Sequence, residues 1–422
     1  MTLRIRFTLC FAIAVVAIGA DWPQWRGPAR DGISRETGLL QQWPASGPKL
    51  VWRVQDGGDG YGAVAAAGGR VYMVSNRGLE DEVVQAFSVE DGKRLWSARI
   101  GKVGNPDQAP AYPSARSTPT LDGDAVYVFG SDGDLACLDA ASGKIRWNRN
   151  VRAQLKGEPG KWAYAESPMV DGDAVVVSPG GPEAGLAAFR KRDGELIWKS
   201  AIPGGEAAGY ASVVPLEAAG RKQYVQFLAK GVVGVDAKSG RLLWRYDDTS
   251  KGPANIPTAL AHGEFVYTTA RSMGAASLIR VEPAGEGASA KQMYFERGLP
   301  STIGGAVLWK DVLYGTTSEG LVAADFATGK VLWKDETLGA GSVLYAANRL
   351  YVHCEDGDIA LVDAAPDAFR QRGRFTPPDP PKHPRGAREK AWAYPVVADG
   401  RLYVRDLGTL WCYDVRATRR AR

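Results

Sequence analysis

The sequence predicts an all-β protein: an eight-bladed β-propeller of four-stranded antiparallel blades, closed by an N-terminal strand that completes the last blade. Three observations predict it. A turn-plus-tryptophan motif recurs along the chain, a ladder of tyrosine-bearing strands counts eight units, and helical periodicity is nearly absent.

The motif occurs in full at Glu90–Trp96, Ala141–Trp147, Arg192–Trp198, Lys238–Trp244 and Ala327–Trp333, each time with the Trp four residues after a Gly. Asp139, Asp236 and Asp325 stand four before that Gly. Chemically this is a hairpin. The Asp accepts from turn amides, the Gly takes a positive φ, and the alternating strand that follows sets the indole on one face. Trp52, Trp96, Trp147, Trp198, Trp244 and Trp333 are therefore expected to dock one blade on the next.

The second ladder is a small turn followed by a β-branched and aromatic run. Tyr72, Tyr127, Tyr224, Tyr267, Tyr314, Tyr351 and Tyr403 hold one position in it, with Val176 in the remaining copy. The copies lie roughly 35 to 55 residues apart, the spacing of propeller blades. The Trp turn is lost around Met293–Phe295 and around Arg374–Phe375, where strand-like segments stand without it. Its remaining copy is Lys49–Trp52, near the N-terminus. Trp411–Asp414 reads as a third strand with nothing after it, so Lys49–Trp52 should complete that blade and remove a free sheet edge.

Residues 1–20 read as a secretory signal: Arg4 and Arg6, the apolar run Phe7–Ile18, then Gly19-Ala20 for cleavage. Cys10 lies inside that run without a small residue before it, so a lipoprotein signal is not expected. The expected localisation is periplasmic or secreted. Residues 21–416 read as one domain and 417–422 as a basic tail. The net charge of +5 owes much to Arg4, Arg6, Arg416, Arg419, Arg420 and Arg422, which leaves a near-neutral body and no case for nucleic acid. No later segment is apolar enough to span a bilayer. A monomer is expected.

Cys137, Cys354 and Cys412 follow the signal. No C-x-x-C is present; a Cys354–Cys412 bridge and three buried apolar thiols are both open, the second being the expected one. Pro377–Pro384 reads as an extended surface excursion between blades seven and eight. The opening stretch Asp21–Gly32, with Trp22-Pro23-Gln24-Trp25-Arg26-Gly27-Pro28, has neither helix nor strand period. Trp22 and Trp25 are expected to pin the N-terminus across the ring.

The D-A-x-[S/T]-G-x-x-x-W pattern resembles the repeat of pyrroloquinoline-quinone (PQQ) dependent alcohol dehydrogenases and of the propeller lipoprotein of the outer-membrane-protein assembly machine. The resemblance covers about everything from Trp22 to Asp414. The W-P-Q-W-R-G-P opening is similar to that of secreted single-domain propellers of this repeat type. In the enzymes, the resemblance implies PQQ over the ring centre with calcium, ligated by a carboxylate and an amide from inner strands, an Asp base, and a vicinal disulfide. Glu166 and Asn255 are reminiscent of the ligand pair. Where the base would stand the chain reads Leu299–Gly304, with no Asp, and no two cysteines are adjacent. Trp392 and Trp309 are the possible cofactor platforms.

Other chemistry has less support. His262, His353 and His383 are scattered, and the Asp-Gly-Asp triplets recur where hairpins must turn. What remains is the ring's mouth, where polar and aromatic segments lead into inner strands. Tyr112–Thr118, Trp162–Ser167, Gly209–Ser212, Asn255–Thr258 and Lys390–Tyr394 should cluster there. Arg116, Glu166, Tyr210, Ser212, Asn255, Thr302 and Trp392 are the candidate ligand-binding residues, with an Arg116–Glu166 pair across adjacent blades. The reading that follows is a non-catalytic binding or scaffold module for a protein, peptide or glycan partner. The alternative is a PQQ- and calcium-dependent oxidoreductase.

Overall fold

A computed structural model describes residues 21–108, 115–250, 252, 254–270, 274–382 and 390–417. The expectations placed on residues 1–20, Tyr112–Ser114, His383, Pro384 and the tail beyond Ala417 lie outside the described residues. Among those described, the strands form eight sheets, each built on four antiparallel neighbours; one of them gains a fifth, parallel strand, Ile33–Ser34. Blades one to seven span 65–102, 120–150, 169–200, 214–246, 260–297, 306–335 and 341–375. Blade eight joins 396–414 to Lys49–Val54, which pairs antiparallel with Thr409–Asp414. Both chain ends thus share one sheet, and the ring is closed.

In every blade the first of the four antiparallel strands lies on the inner side, and its hairpin lies at the same end as the turn between strands three and four. Val89 N–H donates to Gly69 O (3.1 Å), Ala140 to Asp124 (2.9 Å) and Phe326 to Asp311 (2.9 Å), each tying one turn to the other. We call this end the lower face. The inner strands begin at the upper face.

The tyrosine ladder and the tryptophan motif are one row of side chains across each sheet. Tyr72 pairs with Ala86 and Ala86 with Trp96; Tyr127, Cys137 and Trp147 repeat the row, as do Tyr314, Ala323 and Trp333, and Tyr403, Cys412 and Trp52. The middle residue is small because the indole folds back over it. That is why Cys137 and Cys412 sit where other blades carry Ala. All three described cysteines are free and buried, so Cys354 and Cys412 form no bridge.

The indoles of Trp52, Trp96, Trp147 and Trp198 also lie over the turn of the next blade. A Cβ on Gly143 (φ +73°) would stand 2.5 Å from the Trp96 ring; Trp52, Trp147 and Trp198 cover Gly92, Gly194 and Gly240 in the same way. Their Nε1 groups donate to carbonyls of that turn, Trp96 to Ala140 O (3.1 Å) and Trp147 to Lys191 O (2.9 Å). Only Gly fits beneath an indole at positive φ.

Two blades lack the motif and replace it differently. In blade five Tyr294 takes the place, its hydroxyl donating to Phe326 O (3.1 Å). In blade seven the position is Gly373, and Trp43 from the N-terminal segment packs on it, edge-on to Tyr351 and Phe375 at 5.6 and 5.5 Å. In both blades the middle residue is Leu, Leu278 and Leu361, where no indole of the same sheet has to be accommodated.

One ladder assignment is corrected. Val225, not Tyr224, shares the row with Gly234 and Trp244. A slip of one residue turns a strand side chain to the other face, and Tyr224 stacks instead on Trp198 of blade three at 6.2 Å. Trp244 Nε1 donates within its own blade, to Gln223 Oε1 (2.6 Å). The neighbouring turn is replaced there by the long hairpin Ala275–Ala284/Gly287–Arg297 of blade five.

Every fourth strand carries a β-bulge just before the row residue, and the extra residues are Val51, Leu95, Arg146, Ile197, Leu243, Met293, Leu332 and Arg372. The bulge breaks the edge ladder, which discourages edge-to-edge pairing. One helix is present where none was expected, the single turn Val151–Gln154, capped by Asn150 through its bond from Ala153 N–H.

Candidate functional site

The axis of the ring is filled by the chain itself. Trp22 exchanges backbone bonds with Ala66 of blade one (2.7 and 2.9 Å), and Pro23 O accepts from Leu121 N of blade two (2.7 Å). After two tight turns, Ile33–Ser34 adds as a parallel strand to the inner edge of blade seven. This strap was read from sequence as lacking strand character; a two-residue strand is too short for a period of two to show.

Between these anchors the Trp25 ring lies between two guanidinium groups, those of Arg26 and Arg30, each 5.4 Å from its centroid. Arg26 donates to Asp31 O (2.8 Å) and to Ala306 O of blade six. Arg30 points to the other side, to Ser167 O (2.9 Å) and Pro168 O (3.2 Å) of blade three and Gln24 Oε1 (2.9 Å). Trp25 meets Tyr394 of blade eight edge-on at 5.8 Å. The strap is a crossbar with a cation at each end. Both arginines occupy left-handed backbone (φ 58° and 56°), a strained conformation held by these side-chain contacts.

Glu166 stands above Arg30. Its Oε1 accepts Ser178 N–H, its Oε2 accepts Gln226 Nε2 (3.0 Å), and Gln226 also donates to Ser178 Oγ (2.7 Å). Burial pushes the carboxyl up to about 7, with the Ser178 bonds and Arg30 pulling the other way. Burial lowers Arg30 to about 9, against the attraction of Glu166. Among the described residues Glu166 and Arg116 form no ion pair. Arg116 donates instead to Trp162 O (2.5 Å). The cation already beside Glu166 comes from the strap, which the sequence pattern did not connect to the mouth.

The other candidates fall into four places. Tyr210 OH accepts from Trp162 N (3.2 Å), and Tyr210 N–H donates to Asn255 O (2.9 Å), so Arg116, Trp162, Tyr210 and Asn255 form one connected wall. Ser212 belongs to an inter-blade ladder: Ser167 Oγ accepts Thr118 N–H, Ser212 Oγ accepts Ser167 N–H, and Thr258 Oγ1 accepts Ser212 N–H, each at 2.9 Å. Thr302 is tied to Thr316 (2.5 Å) at blade six. Trp392 lies with its ring on Tyr61 (4.9 Å) and donates to Glu355 Oε1 (3.1 Å), beside the Glu355–Lys390 pair. Trp309 stacks on Tyr345 at 4.1 Å, at the lower end of its strand, far from a platform over the centre. His353, read as lying at a strand end, is buried and bonded to Ala393 O (2.8 Å).

Two buried charges were missed. Glu82, fully enclosed between blades one and two, accepts from Ser131 N (2.6 Å) and Oγ (2.8 Å) on Oε2, while its Oε1 has no partner. Burial pushes it up to about 7. Arg405 staples blade eight to blade one through Gly62 O (3.0 Å), Val74 O (2.8 Å) and Ser75 Oγ (3.0 Å). A charged residue inside an otherwise apolar strand, as in Glu82-Val83-Val84 and Val404-Arg405, was the available signal.

These donors do not fit a quinone–calcium pair. Both Glu166 oxygens are already bonded and its compensating cation is a guanidinium of the chain; Asn255 Nδ2 donates to Leu228 O (2.8 Å), Ala229 O (3.0 Å) and Ser250 Oγ (3.1 Å), which leaves its buried Oδ1 as the one oxygen of the pair without a partner. Among the described residues no three His, Cys, Asp or Glu side chains gather to hold a metal ion. Calcium needs several oxygens at once.

Residues 33–160 and 100–334 match the family model described as outer membrane protein assembly factor BamB. The chain belongs to that family. It is 25% identical over 242 residues to the BamB of Yersinia pestis, covering 53% of this chain and 55% of that one, so it spans about half the length of that relative. The BamB of Burkholderia pseudomallei is 24% identical over 289 residues, 60% of this chain and 72% of that one. Quinoproteins are also relatives: the glucose dehydrogenase of Escherichia coli is 23% identical over 291 residues, 60% of this chain and 34% of that one. Among solved structures, BamB from Moraxella catarrhalis superposes with a TM-score of 0.60 at 16% identity, over 88% of this chain and 99% of that one. A quinohemoprotein alcohol dehydrogenase from Comamonas testosteroni gives 0.65 at 13% identity, over 96% and 82%. Identities this low speak for the fold alone.

Proposed function

We propose that this BamB-family propeller is a non-catalytic scaffold of the cell envelope, exported by the segment 1–20, which holds a protein partner in outer-membrane protein assembly. The observation that carries this reading is the strap. It fills the ring axis with Trp25, Arg26 and Arg30, and it sets a tethered guanidinium beside the one carboxylate that resembles a calcium ligand. A ring so filled offers its rim and upper mouth for contacts rather than a central reaction chamber. The wall of Arg116, Trp162, Tyr210 and Asn255, together with Trp392 and Tyr61, is the part of the mouth with aromatic and cationic groups suited to a peptide segment. The relatives that are named as assembly factors support the partner class. The body, residues 21–416, acts as one unit and works as a monomer without lipid attachment.

The test has two arms. Purified protein is mixed with PQQ and calcium, and dye-linked alcohol and aldose oxidation is followed; no turnover is expected, and turnover would reverse the reading. In cells, the protein is crosslinked through a photoreactive residue at Tyr210 or Trp392, and the adduct is identified. An outer-membrane assembly component is the expected adduct. Crosslinks confined to periplasmic sugar polymers would sink the proposal.

A further inference from the structure

The seam between blades seven and eight is built differently from the others. At six seams a row side chain of one blade donates to the carbonyl just past the third strand of the next: Trp52 to Val89 (2.7 Å), Trp96 to Ala140 (3.1 Å), Trp147 to Lys191 (2.9 Å), Trp198 to Ala237 (3.2 Å), Tyr294 to Phe326 (3.1 Å) and Trp333 to Ala365 (2.8 Å). In blade eight that carbonyl belongs to Val415. Its N–H donates to Gly400 O (2.9 Å) as the N–H of Ala140 does to Asp124 O (2.9 Å), which marks the equivalent place. No turn leads from it into a fourth strand, because the fourth strand of this blade is Lys49–Val54 from the N-terminal segment. The Val415 carbonyl is taken instead by the Leu40 amide (2.8 Å).

The side chains that would otherwise reach that carbonyl are left over. Tyr351 OH and Trp43 Nε1 are enclosed without a hydrogen-bond partner, and Tyr413 OH, on the other side of the Phe375 ring, is in the same state. Elsewhere the row tyrosine is satisfied: Tyr72 OH donates to Ala140 O and Tyr127 OH to Lys191 O, both at 3.2 Å. An enclosed donor without an acceptor has lost its water and gained no bond, so closing this seam is worth less than closing its neighbours.

The segment that closes it, Leu39–Val54, lies between two fixed points. Before it, Ile33–Ser34 pairs with Tyr345–Ala346, Arg26 and Arg30 reach blades six and three, and Glu36 Oε2 accepts Gly400 N–H (2.7 Å). After it, Gly57 N–H donates to Gly408 O (2.9 Å) and Tyr61 N–H to Ala115 O (2.8 Å). Thr37, Gly38, Gln55 and Asp56, which flank the segment, are exposed, and nothing lies within 4 Å of a Cβ placed on Gly38 (φ +71°). Within the segment, Trp43 N–H donates to Arg372 O (2.9 Å) and Leu39 bridges Arg416, so blades seven and eight hold it jointly.

We propose that Leu39–Val54 is a latch that swings out as one unit between these two points, while the strap and the other strands stay folded. Opening gives water to Tyr351, Trp43 and Tyr413. It also bares the backbone edge of Thr409–Asp414, and a bare strand edge is a template for another extended segment. The ring thus carries a concealed strand acceptor at the place where its two chain ends meet, separate from the upper mouth.

The test is hydrogen exchange of the full exported protein, read by mass spectrometry on fragments, at urea concentrations below the unfolding midpoint. Fragments within 39–54 should exchange together, at least about tenfold faster than the second and third strands of blades two and three, and with little dependence on urea, because a local opening exposes little surface. Val175→Ala trims the enclosed centre of blade three and lowers global stability. It should speed exchange in blades two and three as urea rises and leave the latch rate unchanged. Latch amides that exchange only along with the blades, with the same urea slope and the same response to Val175→Ala, overturn the proposal. So does a rate for 22–34 equal to that of the latch, since the strap would then move too, and so do separate rates for 39–44 and 49–54, which would be fraying of independent pieces.

Discussion

Glu82 offers the sharpest check on how the blades are joined. Its carboxyl is enclosed between blades one and two, bonded through one oxygen to Ser131 and through the other to nothing, which suits a neutral acid. Burial raises it from 4.5 to about 7. The native state therefore binds this proton more tightly than the unfolded chain. The resulting stability is fully present below pH 4.5 and is lost as pH rises through about 7. At 1.36 kcal/mol per pKa unit the interval corresponds to a loss of about 3 kcal/mol between about pH 5 and about pH 8. Glu82→Gln keeps an acceptor for Ser131 and removes the titration. Glu166, raised in the same direction, titrates in both proteins and cancels from the comparison. Urea unfolding of wild type and variant at the two pH values gives the difference directly. The variant should gain about 2–3 kcal/mol relative to wild type on going from acid to alkaline buffer. A difference that stays flat, or grows in the opposite direction, refutes the reading that burial outweighs the Ser131 bonds and the attraction of Arg116 at this seam.

Three further outcomes follow from the packing. Trp43 has a buried Nε1 without a partner, whereas Trp96 Nε1 bonds Ala140 O; Trp43→Phe should thus be within about 1 kcal/mol of wild type, while Trp96→Phe costs about 1–2 kcal/mol more by thermal melting. Equal costs would mean that Trp43 is not the stand-in indole of blade seven. Gly143→Ala puts a Cβ 2.5 Å from the Trp96 ring at φ +73° and should cost about 2 kcal/mol more than Gly68→Ala on the open hairpin of blade one, where φ is also positive (+58°) but nothing lies within 4 Å, so that only the backbone strain of about 1 kcal/mol remains. Burial pushes the Cys354 thiol up to about 12 and the Cys412 thiol up to about 11; an aromatic disulfide reagent should label neither until urea unfolds the ring, and rapid labelling of the native protein would contradict their enclosure.

The sequence alone determined the fold, since each unit carried its own turn chemistry: a Gly that must take positive φ, an Asp to hold the turn amides, and an indole at fixed spacing. It also determined the closure by Lys49–Trp52, because seven complete fourth strands and one orphan third strand leave a single solution. Tertiary structure decided everything that depends on which residues meet across the ring. Ser212, Asn255 and Thr302 stand at the mouth as the repeat requires, yet their polar atoms hold neighbouring blades and loops together, a role that no local pattern distinguishes from ligand binding. Trp43 and Gly373 are about 330 residues apart in sequence and make one packing unit, and Arg30 reaches blade three through a turn whose residues show no regular period. Periodicity encodes what each residue does within its own blade. What fills the centre of a ring depends on the summed shape of all eight, and only the folded chain has that shape.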